Sequence, residues 1–405
     1  MSSRNFVYEK FSDFYNDPST EISPPTSLRQ RELGFLLFKQ GIMQRHKARE
    51  HIEDLRALLR ETVPSDVYRS CAYYEKPDAD EMDKKGWLGA DLVFDIDADH
   101  ISTSCNKIHN EWTCKKCGLT DKGEPPKHCS TCRGEKFDTK TWVCEQCLGS
   151  AKEETTKLID ILRSDFGFSN EEMHVFFSGH RGYHVHVEND AVKSLDTMGR
   201  KEIVDYVTGL GLTIATRGRK EASEKFFLSD FAWNKRIKQG MRNFIISAAE
   251  IDLKNIGLSK NTIYLILSNK EIILKRCIED GFWDSVKGVG VQTWKKLAEY
   301  TKDLESAKID TVVTTDTHRL IRMNGTLHGK TGLKKAKFPT SNLADFDPFK
   351  EAVAFKEGSV KVFVSDVPEF RLGGSILGPY EQQTVEIPTA AAVLLICKGR
   401  AEVAN

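Results

Sequence analysis

A chain of 405 residues that is 40% hydrophobic and 29% charged can bury two or three domain cores, which excludes a disordered or fibrous protein. The formal net charge is zero, so any binding of nucleic acid must come from local basic patches or from bound cations. No run of about 18 apolar residues occurs and the opening MSSRNFVYEKFSDFYND lacks the apolar core of a signal peptide, so a cytoplasmic chain with no membrane partner is expected.

In chain order, the segment up to about Pro64 is predicted helical, since LRQRELGFLLFKQGIMQRHKAREHIEDLRALLRETV mixes helix formers with apolar residues at 3.6-like spacing. From Val67 the signals become strand-like, in VYRSCAYYEKP and then LGADLVFDIDAD. Residues 101–150 lose apolar periodicity and gain Cys, Lys, Gly and Pro, which marks a small inserted module. GSAKEETTKLIDILRSDFGF is predicted as a helix, and MHVFFSGHRGYHVHV as two strands around a glycine turn. Residues 191–304 read as a mainly helical insertion. Strand character returns in AKIDTVV, HRLIRMNGTLHGKTGL, VKVFV and TVEI, before a closing apolar helix in PTAAAVLLICKGRAEV. The expected fold is α+β: a mixed-sheet core from residues 1–100, 151–190 and 305–405, interrupted by the two insertions.

Seven of the ten cysteines lie between Cys105 and Cys147. In a reducing compartment such clustering points to metal ligands and not to disulfides. Cys114-x2-Cys117 and Cys129-x2-Cys132 form a compact four-thiolate set suited to tetrahedral zinc at about 2.3 Å. If that ribbon is self-contained, Cys105, His109, Cys144 and Cys147 close a second site around it. Two structural zinc ions are therefore expected, because a small loop-rich module cannot bury enough apolar surface to fold alone.

DLVFDIDADH ends an apolar run in alternating acids. Residues i and i+2 share one face of a strand, so Asp95 and Asp97 stand side by side while Ile96 points to the core. Two such carboxylates repel unless cations bridge them, and Mg²⁺ or Mn²⁺ prefers this oxygen-rich setting. Asp99 has the same parity but falls where the strand should end, and is left outside the site. In FFSGHRGYHVHV, Ser178, His180, Arg181 and His184 surround Gly179 and Gly182, a pattern that suits phosphate oxygens. HRLIRMNGTLHGKTGLKKAK repeats the theme, with Arg319, Arg322, His328, Lys330, Lys334, Lys335 and Lys337 and no acid among them.

These motifs, in this order, closely resemble those of the small catalytic subunit of the archaeal–eukaryotic type DNA primase. DLVFDIDADH matches the family's DxD strand, SGHRGYHVHV its SGxRGxH motif, and RLIRMNGTLHGKTGL its third motif. Arg31 and Glu32 in QRELGFLLF match a further family pattern. The resemblance implies a primase catalytic core in which Asp95, Asp97 and a third carboxylate hold two Mg²⁺ or Mn²⁺ ions. Family spacing from Arg322 and His328 leads back to Asp310, with Asp316 as the alternative. It also implies that Ser178, His180, Arg181, Gly182, His184, Arg322, His328 and Lys330 bind the incoming nucleotide. His186 stands where the family commonly has an aromatic residue, and the inner four-cysteine ribbon is an addition to a simpler single-zinc arrangement.

The expected activity is nucleotidyl transfer by a DNA primase catalytic subunit, synthesising short RNA primers de novo on single-stranded DNA from NTPs. By resemblance the expected partner is a large regulatory subunit in a heterodimer, and the expected location is the nucleoid. Two other readings are a primase-polymerase of the same superfamily using dNTPs, and a non-catalytic zinc-ribbon factor. The latter gives no role to the aspartates.

Overall fold

The computed structural model describes residues 2–38, 41–101, 103–214, 216–217 and 225–404. The chain divides into one compact unit of Met1–Ile159, Gly167–Lys201 and Lys308–Asn405, and a second of Asp160–Phe166 and Glu202–Ala307.

Eight strands of the first unit form its two larger sheets. They are β1 (Leu33–Leu37), β2 (Met43–Lys47), β3 (Pro64–Ser70), β4 (Leu92–Asp97), β5 (Met173–Phe177), β6 (Gly182–Val187), β7 (Leu320–Arg322) and β8 (Ala336–Phe338). One sheet runs β7-β3-β1-β2 and the other β8-β5-β6-β4. Where a mixed sheet was expected, every strand pairing among the described residues is antiparallel. The reason is local in part: β5 and β6 are joined by a short turn, which only an antiparallel pair permits.

The β4–β6 pairing sets Asp95 opposite His184 and Asp97 opposite Gly182, and β6 in turn sets His184 opposite Phe176 on β5. One face of this sheet thus carries Asp95, Asp97, His184 and His186. The other buries Leu92, Phe94, Ile96, Val185 and Val187, each fully covered. Gly182 is required by this pairing, since a Cβ there would lie 2.1 Å from the Ile96 carbonyl oxygen. Its lack of a side chain is therefore what allows the two strands to approach.

Three sequence expectations are corrected. Of the segment predicted helical up to Pro64, Ser3–Asn16 and Ile52–Thr62 are α-helical, and β1 and β2 stand between them. Leu33 and Phe35 are buried by pairing of β1 with strands on both edges, and that tertiary pairing overrides the helix propensity of the segment. AKIDTVV is not a strand: Asp310 caps the short helix Thr311–Thr315, accepting a hydrogen bond from the Val312 amide at 3.0 Å. The closing helix Thr389–Cys397 is followed by a strand, Ala401–Val403, paired with Ser359–Val367.

The second unit is built on helices such as Ala232–Ser247, Lys260–Ser268 and Val291–Glu305 around a core that includes Trp233, Ile237, Ile266 and Trp294. Gly240 lets two of these helices approach closely, because a Cβ there would meet Thr301 Cγ2 at 2.4 Å.

Candidate active site

A cavity of about 190 Å³ opens on the polar face of β4 and β6. Of the residues singled out in the sequence, Asp95, Asp97, Ser178, His180, His184, Arg319, Arg322 and His328 line it. Asp310 stands beside them: its amide donates to the Asp95 carbonyl at 2.8 Å. Burial, reinforced by the charges of Asp97 and Asp310, pushes the Asp95 carboxyl up to about 7, and burial raises Asp97 as well. Asp316 lies in the turn after Thr311–Thr315, where it accepts from the His318 amide at 2.9 Å.

The opposite wall is built from neutral donors and a held guanidinium. Asp66 on β3 accepts from Arg322 Nη1 at 2.5 Å and from the Gly329 amide at 3.0 Å, so one carboxylate orients both the arginine and the histidine loop. His328 stacks on His180 with ring centroids 5.0 Å apart, and burial keeps both imidazoles well below their usual range. The Lys330 amide donates to His328 Nδ1 at 3.1 Å, which leaves the ring proton on Nε2. The Thr331 hydroxyl donates to the Gly179 carbonyl at 2.5 Å and ties the two glycine-basic loops together. His184 Nε2 lies 3.5 Å from Asp95 Oδ1, and its Nδ1 contacts the buried Lys335 ammonium at 2.9 Å.

Arg181, Gly182 and Lys330, also predicted as phosphate ligands, are not part of this lining. Arg181 is fully buried, donating to the Asn110 side chain at 3.3 Å and the Trp142 carbonyl at 3.2 Å, and pairing with Asp99. Lys330 is exposed and outside the cavity lining. Sequence reading missed Tyr68, Asp66 and Lys398. Asp66 and Tyr68 are two apart on β3, a period-2 signal that was available. Nothing local marks Lys398, which reaches His180 Nε2 at 2.6 Å from beyond the last helix and is lowered to about 7, chiefly by burial.

The eight zinc-type ligands gather in two groups, Cys105–His109–Cys144–Cys147 and Cys114–Cys117–Cys129–Cys132, with the ligand atoms of each within 4.8 Å of one another. Both could hold zinc. In the first, His109 Nδ1 donates to Asn110 Oδ1 at 2.9 Å, so Nε2 turns its lone pair towards Cys144 and Cys147 at 3.3 and 3.5 Å. Hydrogen bonding from Cys147 holds the Cys144 thiol down at about 4, a thiolate ready for a cation. Asn110 is shared with Arg181, so this group is linked to the catalytic loop. The second group packs its own small core around Trp112, Leu119 and Phe137.

The arrangement joins an uncompensated carboxylate cluster to a wall of neutral imidazoles and arginine, which suits a polyanion carried by cations. Comparison with known proteins agrees with this chemistry. The family described as DNA primase small subunit matches residues 134–338. The DNA primase small subunit PriS of Nitrosopumilus maritimus is 31% identical, covering 98% of each chain. That of Methanothrix thermoacetophila is 33% identical over 100% of each, and that of Archaeoglobus fulgidus 31% identical over 99% of each. No helix is long and apolar enough to cross a membrane among the described residues.

Proposed function

The chain belongs to the DNA primase small subunit family and is a primase catalytic subunit, and from that premise we propose that Asp95, Asp97 and Asp310 hold two Mg²⁺ or Mn²⁺ ions. The carrying observation is the convergence of these acids: among the described residues none pairs with a lysine or arginine, and Asp95 is raised accordingly. Such a cluster fits divalent cations, which when bound would activate a primer 3′-hydroxyl and stabilise departing pyrophosphate.

The chain's own side chains do the positioning. The Ser178 hydroxyl and the His328 Nε2–H donate to phosphate oxygens, and Arg322, braced by Asp66, supplies a fixed positive fork. His184 sits across from Asp95 and orients the α-phosphate end. Phosphoryl transfer needs mostly alignment and charge neutralisation, so no dedicated general base is required. Arg181 acts beneath the site, holding the DxD strand to the Cys105 group, and Lys330 reaches the triphosphate from the rim.

The substrates are NTPs and a single-stranded DNA template, the product a short RNA primer, and the partner a large regulatory subunit. The chain would work at the nucleoid, with both Cys/His groups holding structural zinc. The test is primer synthesis on single-stranded DNA with Mg²⁺ or Mn²⁺ and each nucleotide set. RNA product is expected, falling on the order of 10³-fold in Asp310→Asn and within about threefold of the parent in Asp316→Asn. Product only from dNTPs, or full activity in Asp310→Asn, overturns the reading.

A further inference from the structure

Beside the catalytic cavity lies a second one of about 200 Å³, lined among others by Arg69, Phe176, His186, Arg322, Lys335 and Lys337. Glu188 and Asn324 complete its polar wall. Two of the cations are already compensated, Arg69 by Asp91 at 2.6 Å and Arg322 by Asp66 at 2.5 Å. The two lysines are not. Lys335 is 1% exposed and bonds only neutral groups, His184 Nδ1 and the Arg322 carbonyl, both at 2.9 Å. Lys337 is exposed, with its ammonium 5.9 Å from the Phe176 ring centroid, and neither lysine has an ion pair among the described residues. Burial without a counter-ion pushes the Lys335 ammonium well below its usual range, and an anion entering the cavity would restore its charge. Glu188, the one acid on the wall, is engaged by the Thr26 hydroxyl at 2.8 Å.

A second observation is independent of charge. His186 is 1% exposed, and Arg69, which can only donate, gives an N–H to its Nδ1 at 2.9 Å. The ring proton therefore sits on Nε2. That buried N–H has no hydrogen-bond partner among the described residues, and neither has the buried Asn324 Oδ1. Orphaned buried polar atoms are rare, and here both belong to residues that line one cavity.

We propose that this cavity is an oxyanion site that takes free inorganic phosphate or pyrophosphate. His186 Nε2–H, Lys335 and Lys337 donate to the anion, and Asn324 meets a protonated oxygen. A volume of about 200 Å³ accommodates a free phosphate or pyrophosphate. Arg322 borders both cavities, which couples occupancy here to the catalytic wall.

The test is titration of the full chain, ¹⁵N-labelled at histidine, with inorganic phosphate, pyrophosphate and a 5′-phosphorylated oligonucleotide in separate arms. Phosphate or pyrophosphate should saturably shift the Nε2 resonance that His186→Phe removes, and a saturating NTP should not displace it. Lys337→Ala, at an exposed position that tolerates truncation, should weaken binding by about tenfold or more. If His186→Phe does not fold, the parent spectrum and Lys337→Ala decide alone. Unchanged affinity in Lys337→Ala overturns the proposal, as does a shift confined to other histidines. Binding of the oligonucleotide alone, or no saturable shift at millimolar anion, overturns it too.

Discussion

The two ends of β4 treat the same side chain in opposite ways. At its start Asp91 is almost fully buried, yet it meets Arg31 at 2.9 Å, Arg69 at 2.6 Å and the Tyr73 hydroxyl at 2.6 Å, and its carboxyl is held below the usual range. At its end Asp95 and Asp97 meet each other and Asp310, and Asp95 is pushed up to about 7. Burial acts against the charge at both ends. What differs is the company each acid keeps, so one end is a structural brace and the other an unbalanced charge awaiting cations. Stability given up at a site in this way is the usual signature of function.

The sharpest break in that comparison is catalytic. Asp97→Ala should lower primer synthesis on the order of 10³-fold while the urea midpoint stays at the parent value; retained synthesis would remove the acids from the mechanism. Next is Asp91→Asn, which leaves two buried guanidiniums without their counter-charge and should destabilise by about 3–5 kcal/mol in denaturant titration. Because the Asp91 carboxyl is depressed, its contribution is fully present above 3.8, its ordinary value, and fades as the pH falls below it. The variant should lack that part of the acid slope. The two Cys/His groups extend the contrast. Among the described residues only the first is joined to the catalytic loop, through Asn110 and Arg181, so Asn110→Ala should cost about 10–100-fold in activity, whereas Cys129→Ser in the self-packed ribbon should cost under about threefold. Equal losses in both would show that the link carries nothing. Smallest is Asp95→Asn, which removes an unfavourable charge and should raise the melting temperature by about 2–4 °C at pH 8, opposite in sign to Asp91→Asn.

Much of the site was legible because its parts are local. The parity of Asp95 and Asp97 follows from strand geometry, and each glycine-basic loop is a short contiguous stretch. The cysteine spacing separates the ligands into two sets that the fold brings together as such. Other features were not local. The first strands were mistaken for helix because β1 owes its form to partners on both sides, one of them β3, more than twenty residues away. Asp66 became visible as the brace of Arg322 only when β3 met β7.

By itself the sequence determined the chemistry: which residues can hold cations, donate to phosphate or bind a soft metal, and in what order along the chain. Tertiary structure decided which of them face the same space. It turned Arg181 away to Asn110, brought Lys398 to His180 and Lys335 to His184, and gave Asp310 a helix cap beside Asp95. Side-chain chemistry is a property of each residue alone, whereas direction and burial depend on pairings between segments far apart in the chain.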